Sequence, residues 1–197
     1  MRMTATGIER HTFLFGDLVG FTALTAADGD DRGAEVALSF YERVRALLED
    51  HGAEEVKTLG DGVVLRCADH AAAVELGLQI VDELESTAGF PPVRIGLHTG
   101  PAVYRGGDWY GTTVNVAARL CAVAGGGEVL VSEATRVAAG RMRTVEFDDG
   151  RLHWLRNLTD PVQTFSATRR RRRRFDPARV RAALSCPGGR AYRATTA

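Results

Sequence analysis

Two aspartates, an Asn and Arg at helical spacing, and a single lysine are the residues of this sequence best placed to do chemistry. Asp17 follows the apolar run TFLF (12–15), and Asp61 sits in a Gly60-Asp61-Gly62 turn. Both stand beside glycines, which allow close backbone approach. Two carboxylates brought together offer the hard oxygen ligands that Mg²⁺ takes, usually shared with substrate phosphates. An Asp beside Gly also caps turns, so either acid read alone fits a structural role as well. In TTVNVAARL (112–120), Asn115 and Arg119 are four residues apart and on a helix project from one face. An arginine there can hold phosphate oxygens in a forked geometry and offset charge in phosphoryl transfer. A solvated helix face has the same spacing. Lys57 is the only lysine beside 24 arginines. Lysine is a compact point charge where arginine is a flat fork, so the exception is informative, although a strand lysine can simply snorkel.

These residues need a folded body to position them, and composition provides for one. The chain has 197 residues, 45% hydrophobic and 25% charged, the balance of an ordinary globular protein with room for one domain and an appendage. The three cysteines, Cys67, Cys121 and Cys186, are widely spaced. They form neither a CxxC metal pair nor a disulfide framework, which predicts a reducing, cytoplasmic setting. The N-terminal MRMTATGIERH has no apolar h-region, and no 18-residue apolar run occurs. The expectation is a chain neither exported by that route nor membrane-spanning. The formal net charge is zero, but from Arg169 onward ten arginines meet one acid, Asp176, so a +9 tail follows a −9 body.

The hydrophobic pattern predicts a strand at 12–15 and a helix from about Gly33 to Asp50. A hairpin of EEVKTL and VVLRC follows around the Gly60-Asp61-Gly62 turn, then a helix with Ala73, Leu76, Ile80, Val81 and Leu84 on one side, and a strand VRIGLH (93–98). The order β-α-β-β-α-β predicts an α+β fold with a ferredoxin-like palm, helices packed on one face of an antiparallel sheet. Beyond it come a loop YRGGDWYG, a helix over Thr112–Val123, a strand GEVLVS (127–132) and a short helix over Glu133–Ala139. Two terminal strands, HWLRNL and PVQTFSA, turn at Asp160-Pro161. The expected division is an N-terminal tail (1–10), a catalytic body (11–168) and an Arg-rich flexible tail (169–197).

Four segments taken in order resemble the class III nucleotidyl cyclases: FGDLVGFT (15–22), VKTLGDG (56–62), VRIGLHTG (93–100) and DWYGTTVNVAAR (108–119). The resemblance spans roughly residues 11–168. It implies that Asp17 and Asp61 bind two divalent ions, Mg²⁺ or Mn²⁺, for an in-line displacement. It implies that Asn115 and Arg119 orient the ribose and stabilise the transition state. Arg94 matches a triphosphate contact, with Arg156 a further one, and the backbone of Gly20, Phe21 and Thr22 would cradle phosphate as a helix N-terminus does. Lys57 and Asp108 match the adenine-selecting pair, where guanylyl cyclases carry Glu and Cys. The family builds its site between two catalytic domains. A chain carrying both residue sets is therefore expected to act on ATP as a homodimer with shared sites. The short span from His98 to Asp108, with Trp109, resembles the bacterial subclass common in actinobacteria. Gly16 and Gly62 depart from the family pattern, and extra glycine there would loosen the metal loops.

Three rival readings differ in class. A catalytically weak or inactive cyclase-homology domain regulating through nucleotide binding would lack the acids or the Asn and Arg, and all are present. A diguanylate cyclase is suggested by Gly106-Gly107-Asp108, but the continuation is Trp-Tyr rather than Glu-Phe. The arginine run could contact nucleic acid or an anionic membrane in a salt-dependent way, yet no aromatic stacking pattern accompanies it. The tail could also fold back on the acidic body.

Overall fold

The computed structural model describes residues 9–170. Its elements run β1 (Arg10–Leu18), α1 (Phe21–Asp28), α2 (Asp30–Leu48), β2 (Ala53–Leu59), β3 (Gly62–Cys67), α3 (His70–Glu85), β4 (Val93–Pro101), β5 (Val103–Arg105), β6 (Asp108–Tyr110), α4 (Thr112–Val123), β7 (Val129–Ser132), α5 (Glu133–Ala139), β8 (Val145–Phe147), β9 (Arg151–His153) and β10 (Val162–Arg169). The main sheet has the order β2-β3-β1-β4-β7-β10-β8, with β9 on β10 and β5–β6 a separate hairpin. All pairings are antiparallel except β4 with β7. The β2-β3-β1-β4 core is the expected ferredoxin-like palm.

Alternate strand residues point to opposite faces. Leu14, Leu18, Val63, Leu65, Ile95 and Leu97 pack with Phe40 of α2 and with Leu76 and Ile80 of α3 in the larger core. Full burial of each such side chain stabilises by about 1.5–3 kcal/mol. α3 starts where Asp69 accepts from the Ala71 and Ala72 amides, an N-cap that meets two donors otherwise orphaned. The opposite face carries α4, whose Val116 and Leu120 pack with Leu130 and Leu155 in a second cluster. Gly96 makes that approach possible, because a Cβ there would collide with the Cys121 amide. Helices therefore cover both faces of the sheet, not one.

Several boundaries differ from the sequence expectation for physical reasons. α1 has no buried residue, so no apolar periodicity announces it. The segment YRGGDWYG is a hairpin, turning at Gly106 and Gly107 with φ of 61° and 83°. HWLRNL is a strand only to His153. Arg156-Asn157 forms a turn in which Asn157 takes φ 57°. Gly16 lies inside β1, and Gly62 opens β3 directly after the turn, paired with Asp17. A Cβ at Gly62 would sit 3.0 Å from the Gly16 carbonyl oxygen, so this glycine serves close packing instead of loosening a loop.

Arg169 ends β10 and pairs with Asp82 of α3 at 2.8 Å and Glu75 at 2.5 Å, while Arg170 meets Glu146 at 2.8 Å. The first two arginines of the run thus lie on acids of the body. The rest of the tail, 171–197, and residues 1–8 fall outside the described residues. Among the described residues no helix is long and apolar enough to cross a membrane.

Candidate active site

Asp17, Arg94 and Lys57 lie on the α4 face of the sheet, and with their neighbours Asp61 and Asp108 and with Asn115 and Arg119 of α4 they form three groups. At one end, register alone assembles the acids. Asp17 on β1 pairs across with Gly62 of β3 and with Arg94 of β4. Arg94 Nε donates to Asp17 Oδ2 at 2.8 Å, its Nη2 donates to the same oxygen, and its Nη1 donates to the Ala122 carbonyl at 3.2 Å. Asp61 stands in the β2–β3 turn next to Gly62. Burial first, then the Asp17 charge, raises the Asp61 carboxyl above its ordinary value. Tyr41 of α2 donates its hydroxyl to the Gly60 carbonyl and so ties down the turn that carries Asp61. Its own pKa is raised by burial and then by the Asp61 charge.

A cavity of about 280 Å³ opens beside this group, lined by Asp17, Gly62 and Arg94 from the sheet and by Ala118, Cys121 and Ala122 from α4. Burial pushes the Cys121 thiol up to about 12, so it stays protonated as a wall of the cavity. Two carboxylates close enough for one charge to act on the other form a hard-oxygen donor pair that suits Mg²⁺ or Mn²⁺. Among the described residues no cluster of three or more His, Cys, Asp or Glu exists. Such ions would complete their shells with phosphate oxygens and water, the ordinary habit of Mg²⁺.

At the other end, Lys57 Nζ donates to Asp108 Oδ2 at 2.5 Å, joining β2 to β6 across 51 residues of sequence. The pair is partly buried, with side chains 36% and 27% exposed. The Lys57 hydrogen bond first, and then the Trp109 amide, hold the Asp108 carboxyl below its ordinary value. A β-bulge explains how Lys57 reaches this face. Glu55 pairs with Leu65 but Lys57 pairs with Val64, so the register shifts at Val56. Glu55 therefore faces α2, where it accepts from Arg45 at 2.7 Å. Lys57, only two residues on, faces the opposite side, which regular period-2 alternation forbids.

The third group is on α4. Asn115 is exposed and Arg119 half-buried, and neither lines the cavity beside Asp17. Ala118 and Cys121 are turned away from their stripe, by roughly 80° and 140° from its centre at about 100° per residue, whereas Ala122, seven residues after Asn115, lies close to it. Gly20 caps α1 in the left-handed region at φ 80°, and the helix begins at Phe21. Arg156 is exposed in its turn.

Sequence reasoning did not reach Tyr41, Arg66 or the packing role of Trp109. Tyr41 is an ordinary apolar-stripe position of α2, and only the tertiary contact with Gly60 distinguishes it.

Residues 3–152 match the adenylate and guanylate cyclase catalytic domain, and the chain belongs to this family. The class III cyclase architecture accounts for the palm, for α4 on the second face and for all four segments. A pH-sensitive adenylate cyclase of Mycobacterium tuberculosis is 40% identical over 137 residues, covering 68% of this chain and 34% of that protein. An adenylate cyclase of Streptomyces griseus is 38% identical over 120 residues, covering 61% and 30%. The chain thus spans about a third of the length of these relatives. The adenylyl cyclase CyaB from P. aeruginosa superposes with a TM-score of 0.71 at 20% identity, covering 83% of this chain and 95% of that one, a likeness of fold alone.

Proposed function

We propose that this chain is an adenylate cyclase domain that converts ATP to 3′,5′-cyclic AMP and pyrophosphate at sites shared between two copies of itself. The observation that carries the reading is the Lys57–Asp108 pair. An ammonium can donate to adenine N1 while a carboxylate accepts from the 6-amino group. Guanine presents the reverse, a donor at N1 and an acceptor at O6, so it would leave both groups mismatched at a cost.

In the reaction the ribose 3′-oxygen forms a bond to the α-phosphorus. The bond from that phosphorus to the β-phosphate bridging oxygen breaks, pyrophosphate leaves with the electron pair, and the 3′-hydroxyl proton is lost. Asp17 and Asp61 would hold two divalent ions, Mg²⁺ or Mn²⁺, whose chemistry when bound is to acidify that hydroxyl and offset phosphate charge. Arg94, beside the acids, would turn from Asp17 to the triphosphate. Asn115 would orient the ribose and Arg119 would meet charge developing on the α-phosphate. The backbone at Gly20, Phe21 and Thr22 would receive phosphate oxygens.

The shared-site arrangement is supported by Asn115 and Arg119 themselves, neither of which lines the cavity of Asp17 and Arg94 in one chain. A second copy, related by a two-fold axis, would bring one chain's Asp17, Asp61 and Arg94 to the other's Lys57, Asp108, Asn115 and Arg119. The test is direct. The purified chain is given ATP or GTP with Mg²⁺ or Mn²⁺, and cyclic product is followed. Cyclic AMP from ATP, well ahead of cyclic GMP from GTP, is expected. Nucleotide binding without product would instead point to a regulatory domain, and a GTP preference would overturn the base assignment.

A further inference from the structure

We infer that Trp109 is a positioning residue for base selection, clamping the Asp108 carboxylate in the one orientation that can read an adenine edge. The inference rests on the adenine-selecting role proposed for Asp108. Asp108 belongs to a three-residue strand of an isolated hairpin, β5–β6, which the main sheet does not hydrogen-bond. A two-stranded ribbon alone is marginally stable and would leave the carboxylate mobile. Trp109 supplies the missing attachment. Its ring lies edge-on to His11 at 4.7 Å and Phe13 at 5.7 Å, two side chains only 2% and 0% exposed on β1. Arg66 of β3 covers the indole at 4.9 Å, and the Tyr104 ring of the facing strand packs against it at 5.2 Å, tilted by 51°.

The same residue also touches the carboxylate directly. The Trp109 amide donates to Asp108 Oδ1 at 2.8 Å, while Lys57 holds Oδ2 at 2.5 Å. The two oxygens therefore have different duties. Oδ1 is fixed by the backbone that the indole anchors. Oδ2 is bound to a flexible side chain that can yield it to a 6-amino group. Arg66 is held in turn by Glu54 at 2.8 Å, with its Nε donating to His11 Nδ1 at 3.2 Å, so the clamp is braced from two strands. An aromatic residue after the selecting acid thus fixes how that acid faces the base, without touching substrate itself.

The test compares Trp109→Ala, Trp109→Phe and Asp108→Asn in the full chain, reading kcat/KM for ATP and GTP and the dimer fraction. A phenyl ring keeps the edge contacts to His11 and Phe13, so Trp109→Phe should hold the ATP:GTP ratio within about threefold. Trp109→Ala should lower that ratio about tenfold, the worth of one lost charge-assisted hydrogen-bond orientation. The loss should appear mainly in the KM for ATP, with GTP turnover unchanged or higher. Arg66→Gln, which removes the cation over the ring and its ties to Glu54 and His11 while leaving the indole in place, should move the ratio the same way by a smaller factor and serves if Trp109→Ala does not fold. Equal losses on ATP and GTP would mean the indole is merely structural and would overturn the inference. If Asp108→Asn leaves the ATP preference intact, the adenine-selecting reading itself fails, a result distinct from an Asp108 effect without a Trp109 effect.

Discussion

The two ends of the α4 face are built in different ways. At the acidic end, Asp17, Gly62 and Arg94 are direct cross-strand neighbours on three central strands, and the pleat alone puts them together. At the end proposed to read the base, Lys57 reaches its face through a bulge, and the hairpin that carries Asp108 lies off the main sheet with Trp109 packed on His11. The first arrangement rides on the core of the sheet and resists displacement. The second depends on a few contacts at the periphery, which can change without disturbing the core. Catalytic power should therefore be lost in an all-or-none way at one end, while specificity should be tunable at the other.

Substitutions of the acids give the largest expected effect. Asp17→Ala or Asp61→Ala should reduce metal-dependent cyclic AMP formation to background while leaving the thermal unfolding midpoint nearly unchanged. Retained activity would sink the assignment of those acids. Next, Arg119→Ala should slow turnover by a factor on the order of 10³ if it meets transition-state charge as other phosphoryl-transfer arginines do. A drop of only a few-fold would place it on an ordinary solvated helix face.

At the peripheral end, the double change Lys57→Glu with Asp108→Cys should cut the ATP:GTP ratio of kcat/KM by roughly 10–100-fold. An unchanged ratio would make Lys57 a plain strand lysine. His98, on the same face, tests stability rather than specificity. Burial, and then the Arg10 charge, depresses its imidazole from the ordinary 6.5 to about 4. Because the folded state resists the proton, stability is full above about pH 6.5 and is lost as pH falls toward 4. Urea unfolding should show a fall on the order of 2 kcal/mol between pH 7 and pH 5, smaller in His98→Asn. The smallest effect belongs to Tyr41→Phe, which frees the Gly60 carbonyl. The Mn²⁺ concentration for half-maximal rate should rise a few-fold with no change in the ATP:GTP ratio. A shift in that ratio would mean the two ends are coupled after all.

The contrast also explains what the sequence could reveal. The palm was readable because its helices and central strands have clean apolar periodicity, and Asp17 and Asp61 stood out beside glycines at the ends of such runs. α4 was placed at its true bounds, since TTVNVAARL carries helical spacing throughout. The resemblance to the cyclases, not periodicity, paired Lys57 with Asp108. Strict alternation gives Lys57 the face of Glu55, and one extra residue in a bulge has no compositional mark. α1 lacked a buried stripe, and the β5–β6 hairpin hid behind a Gly-Gly pair that reads equally well as loop. Tyr41 and Arg66 act through tertiary contacts, so nothing local singles them out.

In the proposed dimer, one chain supplies the acids and its copy supplies Asn115 and Arg119. Mixing an inactive Asp17→Ala chain with an inactive Arg119→Ala chain tests it most directly. With free exchange of subunits, half the dimers would be mixed, each with one intact site of two. Cyclic AMP formation should then recover to about a quarter of the unsubstituted rate. Two chains that stay inactive together, while demonstrably exchanging subunits, would contradict the shared site.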